Sequence, residues 1–265
     1  MKIYISADIE GITGVLNWNQ CNHDKPEYKE FSNRMSREVA AACIGANMAG
    51  AKEILIRDAH HLCSNIDLNI LPVNAMMVRG MSGHPFSMMQ EIDSTFDAAM
   101  MIGYHSGSSF EDNPLCHTYS TNIFSFKING ELANEYLINA YIASYVGVPV
   151  IFLSGDVGIC NYAKDTNPNI HTVATNRHFG ASTISIHPEL SLKLIEEGVR
   201  SALTNDISTC FLEIPKEFEI EICFHDPAYA YKKSFYPGME KISSTTLRFY
   251  SKDYYEVLRM MQFGI

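Results

Sequence analysis

Four short apolar runs in this chain end alike, and that recurrence limits the folds open to it. Ile3 to Ala7 stops at Asp8-Ile-Glu10-Gly11, and Ile54-Leu-Ile runs into Arg57-Asp58-Ala-His60-His61. Asp97 to Tyr104 stops at His105, and Val148 to Leu153 stops at Ser154-Gly155-Asp156. Near-continuous apolar runs of strand length are the pattern of strands buried on both faces, as in a parallel sheet. Helical spacing lies between them. Ala40, Ala41, Ile44 and Met48 share one face of a helix expected over Tyr28 to Met48, with Gly50 as its C-cap, and a second helix carries Glu135 near its start and runs to about Tyr145. The class this predicts is α/β, with a parallel-sheet core and helices on both faces. In such sheets ligands bind outside the carboxyl ends of the strands, where all four runs place a carboxylate or an imidazole.

The rest of the chain is less periodic. Ile70 to Arg79 is ambiguous, Pro85 to Ile92 reads as a short helix, and residues 121 to 128 alternate weakly into the Asn129-Gly130 turn. Residues 170 to 175 suit a short strand, and His187-Pro188 opens a helix to about Leu203. The last quarter changes character: Phe218 to Phe224 alternates with period two, Thr245 to Tyr250 is β-prone, and Asp253 starts an amphipathic helix. We expect a metal-binding core over residues 1–205 and a smaller C-terminal α+β appendage over 206–265, packed together as one compact unit because no linker separates them.

With 46% apolar and 19% charged residues the chain is not disordered. Its net charge of −10, with no basic stripe, argues against nucleic acid or an anionic membrane as partner. No apolar run is long enough to span a bilayer, and the first residues enter a strand with no secretory pattern. Seven scattered cysteines without a C-x-x-C pair read as reduced thiols in a cytoplasmic protein.

Residues two apart on an extended strand face the same side, so Asp8 and Glu10 would share one small volume and raise each other's pKa unless a metal ion or a basic side chain lay between them. Solvated loop acids are the alternative on that stretch alone. Carboxylates with imidazoles and no paired cysteines favour Zn²⁺ or a similar divalent ion in a hydrolytic site over a structural zinc knuckle. One of His60 and His61 suits a ligand better than both, while His84, His171, His178, His187 and His225 carry no metal-like pattern. Asp58 either orients a ligand imidazole or pairs with Arg57 or a lysine. Cys116 beside His117 is a weak nucleophile candidate, since adjacent strand residues point apart. The stretch through Trp18 and Cys21 to Lys25-Pro26 reads as a loop over the strand ends, a candidate lid on the substrate.

These motifs, in this order, carry a resemblance: D-x-E-G at Asp8 to Gly11, D-x-H at Asp58 to His60, G-Y-H at Gly103 to His105, and His117-Thr118. The Asn-Gly turn followed by Glu135 and Asn139-Ala-Tyr, and Val-Pro-Val with Ser-Gly-Asp at 148 to 156, extend it over nearly the whole chain. The sequence resembles the zinc-dependent D-aminopeptidase family, of the type found in the dipeptide operon of bacilli. The resemblance implies a two-zinc site with Asp8, Glu10, His60, His105 and Glu135 as ligands, Asp8 bridging, and His117 as the catalytic histidine. It also implies hydrolysis of the N-terminal residue of short peptides, with D-residue preference, and a ring-shaped homo-oligomer, typically a decamer. Two departures bear on the placement of His117 and on substrate preference: the loop from His105 to His117 is one residue longer than usual, and Gly158 stands where the family is often more acidic. Two Zn²⁺ ions bring four positive charges against three carboxylates, so one bridging hydroxide would leave the site neutral. Other readings of the same residues are a two-metal amidase or esterase on another small amide, and a peptide-binding oligomer without turnover.

Overall fold

The computed structural model describes residues 1–110 and 113–265. The main sheet has seven strands in the order β3-β2-β1-β4-β7-β8-β9. These are β1 (Lys2–Ala7), β2 (Glu53–Asp58), β3 (Ala75–Val78), β4 (Ala98–Tyr104), β7 (Val150–Asp156), β8 (His171–Phe179) and β9 (Ser182–Ser185). All pairs are parallel except β8 with β9, an antiparallel hairpin at one edge. From β1 the chain crosses outward to β2 and β3, then returns to β4 on the other side of β1. The strand order therefore reverses between β1 and β4, and the crevice at that reversal is where ligands bind in open parallel sheets.

The strand residues alternate between two apolar layers. Ile3, Ile5 and Ala7 face α1 (Tyr28–Met48) and α4 (Pro188–Thr204), whereas Tyr4, Met101 and Leu153 join the layer that holds α2 (Glu135–Tyr145) and α3 (Val157–Thr166). Helices thus cover both faces. The α/β class and the extents of α1 and α2 agree with the sequence pattern. Pro85 to Ile92 contains only one 3₁₀ turn, Ser87–Met89.

A second sheet of five antiparallel strands has the order β11-β12-β10-β5-β6. It joins β5 (Ile123–Ile128) and β6 (Glu131–Leu132) to β10 (Phe218–Phe224), β11 (Glu240–Lys241) and β12 (Thr246–Ser251), with α5 (Pro227–Lys233) and α6 (Tyr254–Gly264) beside them. This sheet does not begin at residue 206. Its centre is the β5–β10 pair, Ile222 opposite Phe126, which draws a mid-chain segment into the C-terminal unit. Such long-range pairing leaves no mark in local periodicity. Phe126, Ile138, Leu153, Ile220 and Val257 belong to one continuous apolar cluster, so α2 packs with both sheets. No helix among the described residues is long and apolar enough to cross a membrane.

Candidate metal centre

Asp8 and Glu10 lie just past β1, in a bend rather than on the strand itself. The bend is pinned to β4 by Asp8 N donating to Ile102 O and Gly11 N donating to Gly103 O, both at 2.8 Å. A Cβ at Gly11 would stand 1.8 Å from Tyr104 O, so only glycine lets the two strand ends approach this closely. His60 follows β2, His105 follows β4, and Glu135 opens α2 directly after the Asn134 N-cap, where the helix dipole favours a carboxylate. His117 comes from the loop that precedes β5. All six side chains converge, and all are largely buried.

Each imidazole has one ring nitrogen spoken for by the backbone. His60 Nε2 contacts Cys21 O at 2.8 Å, His105 Nδ1 contacts Ser106 O at 2.8 Å, and His117 Nδ1 contacts Leu115 O at 2.9 Å. A carbonyl oxygen only accepts, so those nitrogens carry the proton, and in the neutral rings the opposite nitrogens present lone pairs inward. There they meet carboxylates. His60 Nδ1 lies 3.3 Å from Asp8 Oδ1 and 3.0 Å from Glu10 Oε2. His105 Nε2 lies 3.6 Å from both Asp8 Oδ2 and Glu135 Oε2, and His117 Nε2 lies 3.8 Å from Glu135 Oε1.

Contacts of 3.6 to 3.8 Å are too long for hydrogen bonds. Buried Glu10 Oε2 and His105 Nε2 have no hydrogen-bond partner among the described residues. Two ligands held about 2.0–2.1 Å from a tetrahedral zinc are themselves about 3.3 Å apart, so this spacing fits donor atoms sharing a cation. Two overlapping groups, Asp8–Glu10–His105 and His105–His117–Glu135, each bring one donor atom per residue within 4.8 Å of one another. The donor set of carboxylate oxygens and imidazole nitrogens suits zinc.

The charges within the cluster act on one another strongly. Burial, then the neighbouring Glu10 carboxylate, push Asp8 up to about 8. Burial works the same way on Glu10 and Glu135, but His60 outweighs it at Glu10 and His105 at Glu135, and both acids are held below the usual range. Burial would lower His60 and His105, yet Glu10 and Glu135 respectively overcome it and raise both well above the ordinary value. His117 differs. Burial, then the stacked His105 ring at 4.5 Å, bring its pKa below that of a free imidazole.

Several sequence expectations find other partners here. Asp58 neither orients an imidazole nor pairs with Arg57; it accepts from Asn65 N, Asn65 Nδ2 and Ile66 N, and Asn65 Nδ2 also donates to His60 O. Asp156, grouped with the strand-end candidates, stays out of the cluster. It caps α3 through Ile159 N and accepts from Ser106 N, Ser106 Oγ and Asn113 Nδ2, tying down the backbone after His105 and the start of the His117 loop. His187 caps α4, and His61 lines the cavity with no ion-pair partner among the described residues. The loop between His105 and His117, one residue longer than usual in the family it resembles, includes residues 111 and 112, outside the described residues. Sequence reasoning passed over Tyr119, whose backbone N–H donates to Glu135 Oε1 at 2.7 Å and whose hydroxyl donates to Asn139 Oδ1 at 2.9 Å. Its φ of +59° is an unusual backbone conformation that no sequence signal announced.

The cluster forms one end of a cavity of about 730 Å³, also lined by Trp18, Cys21 and Asn22. The stretch read as a lid does lie over the strand ends, with Trp18 packing edge-on against His117 at 5.3 Å.

Comparison with known proteins agrees with this architecture. The family model described as D-aminopeptidase matches residues 1–263. A D-aminopeptidase of Bacillus subtilis (strain 168) is 30% identical over 263 residues, covering 98% of this chain and 95% of the relative. The solved structure of the Zn-dependent D-aminopeptidase DppA from Bacillus subtilis, described as a self-compartmentalizing protease, superimposes with a TM-score of 0.93 at 29% identity, over 98% of this chain and 95% of that one. The chain belongs to the D-aminopeptidase family.

Proposed function

We propose that this protein is a binuclear zinc aminopeptidase that removes the N-terminal residue of short peptides, with D-residue preference. The observation that carries the reading is the inward aim of three backbone-anchored imidazoles onto three buried carboxylates. Asp8, Glu10, His60, His105 and Glu135 would hold the two ions. Asp8 is the natural bridge because its Oδ1 faces His60 and its Oδ2 faces His105. Zinc bound there would polarise the scissile carbonyl and activate water as the nucleophile.

His117 supplies the proton transfer in this reading. Its Nδ1–H is spent on Leu115 O, so Nε2 is the basic nitrogen, and its lowered pKa keeps it neutral near pH 7, ready to accept a proton and return it to the leaving amine. Trp18 packs against its ring. A second role, His117 as a ligand, is favoured by the proximity of its Nε2 to donor atoms of His105 and Glu135.

The relative's description as self-compartmentalizing supports a homo-oligomer here, a ring-shaped decamer by resemblance. Seven unpaired cysteines support a cytoplasmic setting. The test is elemental analysis of the purified protein followed by paired D- and L-aminoacyl amides and dipeptides. About two equivalents of zinc and faster turnover of the D series are expected. Full activity after complete removal of metal would overturn the reading, and cleavage confined to non-peptide amides or esters would favour a two-metal amidase.

A further inference from the structure

The cavity has a second polar group on its wall. Arg57 of β2 is only 3% exposed, yet it lines the same cavity as Asp8, His60 and His117. Its Nε donates to Ser87 O at 3.2 Å, Nη1 to Gly80 O at 2.7 Å, and Nη2 to Cys63 Sγ at 3.2 Å. Ser87 and Cys63 themselves line the cavity, which places the guanidinium in its wall.

A guanidinium carries five N–H donors. Three are spent here on neutral acceptors, and two remain. Among the described residues no carboxylate pairs with Arg57, whereas the arginines that do form ion pairs all have a glutamate partner. The adjacent Asp58 is committed to Asn65 and Ile66. Carbonyls and a thiol hold the guanidinium in position but do not cancel its charge, and a buried cation is costly unless an anion meets it. The remaining donors match a carboxylate, which a guanidinium binds through two parallel N–H groups. Asp8, His60, His117 and Glu135 line the same cavity, so the metal cluster and the cation share it. Two extended peptide residues reach about 7 Å, a length that a cavity of about 730 Å³ accommodates.

We propose that Arg57 determines specificity by receiving a carboxylate of the peptide on the far side of the scissile bond, so that the substrates are dipeptides and similarly short peptides bearing one. This rests on the aminopeptidase reading. The carboxylate is either the free C-terminus or an acidic side chain of the second residue.

Calorimetry on the zinc-loaded protein distinguishes these, using three dipeptide isosteres whose scissile amide is reduced to an amine. One ends in a free α-carboxylate, one in an α-carboxamide, and one in an α-carboxamide with a glutamate side chain. In the wild type at least one carboxylate-bearing ligand should bind roughly 10- to 100-fold more tightly than the neutral one, and which of them does so identifies the source. Arg57→Gln should abolish that difference and Arg57→Lys should retain part of it. Equal binding of the three by the wild type, or no binding at all, overturns the proposal without requiring any variant to fold. So does a preference that survives in Arg57→Gln. With the matching cleavable peptides the preference should appear mainly in KM. If none of those is cleaved the aminopeptidase reading falls, while the binding difference still decides the role of Arg57.

Discussion

His117 and Glu135 approach each other to 3.8 Å, and the proposed roles assign them opposite phenotypes. His117→Ala should keep both zinc ions and lower kcat by about 10²–10⁴, the usual contribution of a positioned acid or base. Glu135→Gln should lose zinc while melting near the temperature of the metal-free wild type, because it sits at a crevice rather than in the apolar layers. Zinc analysis beside kinetics separates them, and a His117→Ala variant with one ion fewer would make that histidine a ligand. Glu38 offers an independent test at the same scale. Its carboxyl is buried in α1, accepts from Thr13 N at 3.1 Å, and leaves Oε2 without a partner among the described residues. Burial, opposed by the Thr13 hydrogen bonds, pushes it from 4.5 up to about 7. The folded pKa is the higher one, so the folded protein binds more protons than the unfolded chain between those values. Stability from this group is complete below about pH 4.5 and is lost as pH rises through about 7, a change of about 3 kcal/mol. Glu38→Gln should therefore gain in melting temperature relative to wild type between pH 5 and pH 8. A difference that stays constant over that range would place the titration elsewhere.

At the scale of elements, the centre depends on how closely β1 and β4 end. Gly11→Ala would drive a Cβ into Tyr104 O, a clash with the β4 backbone, and should cost about 1–3 kcal/mol or more along with zinc content. A Gly11→Ala variant with wild-type denaturation midpoint and metal would show that the strand ends can part. Much of this level was legible in the sequence. β1, β2, β4, α1 and α2 follow from apolar runs and helical spacing, and the strand-end rule placed Asp8, Glu10, His60 and His105 on one edge. What the pattern could not show has specific causes. α3 begins Val157-Gly158-Ile159, two β-branched residues and a glycine, so its start is set by the Asp156 cap rather than by propensity. Asp156 itself, by position a strand-end acid, is used up in capping and in holding Ser106 and Asn113. Arg57 stood in the sequence only as a possible partner of Asp58, because its carbonyl partners come from residues 80 and 87, far along the chain.

At the scale of the whole molecule, light scattering should find a mass several times 29.8 kDa, and a monomer at working concentration would refute the proposed ring. The two sheets and α2 between them also make a claim about cutting the chain. Removal of residues 206–265 takes away β10, the partner of β5, together with α6 and the hydroxyl of Tyr254 that donates to Ile138 O at 2.8 Å in α2. The truncated chain should neither fold nor bind zinc, whereas a soluble zinc-binding fragment would show that residues 1–205 stand alone. The same arrangement sets an order of events at the ribosome. Asp8 and Glu10 are made first, but the support beneath Glu135 is made last, and at roughly 5–20 residues per second the chain from Glu135 to Tyr254 takes on the order of ten seconds to appear. Within that interval β5 has an unpaired edge until β10 is made, and α2 an uncovered apolar side until α6 is made. The nascent protein is thus exposed to misassociation from the synthesis of α2 until α6 has emerged, and only then is the apolar layer behind α2 closed.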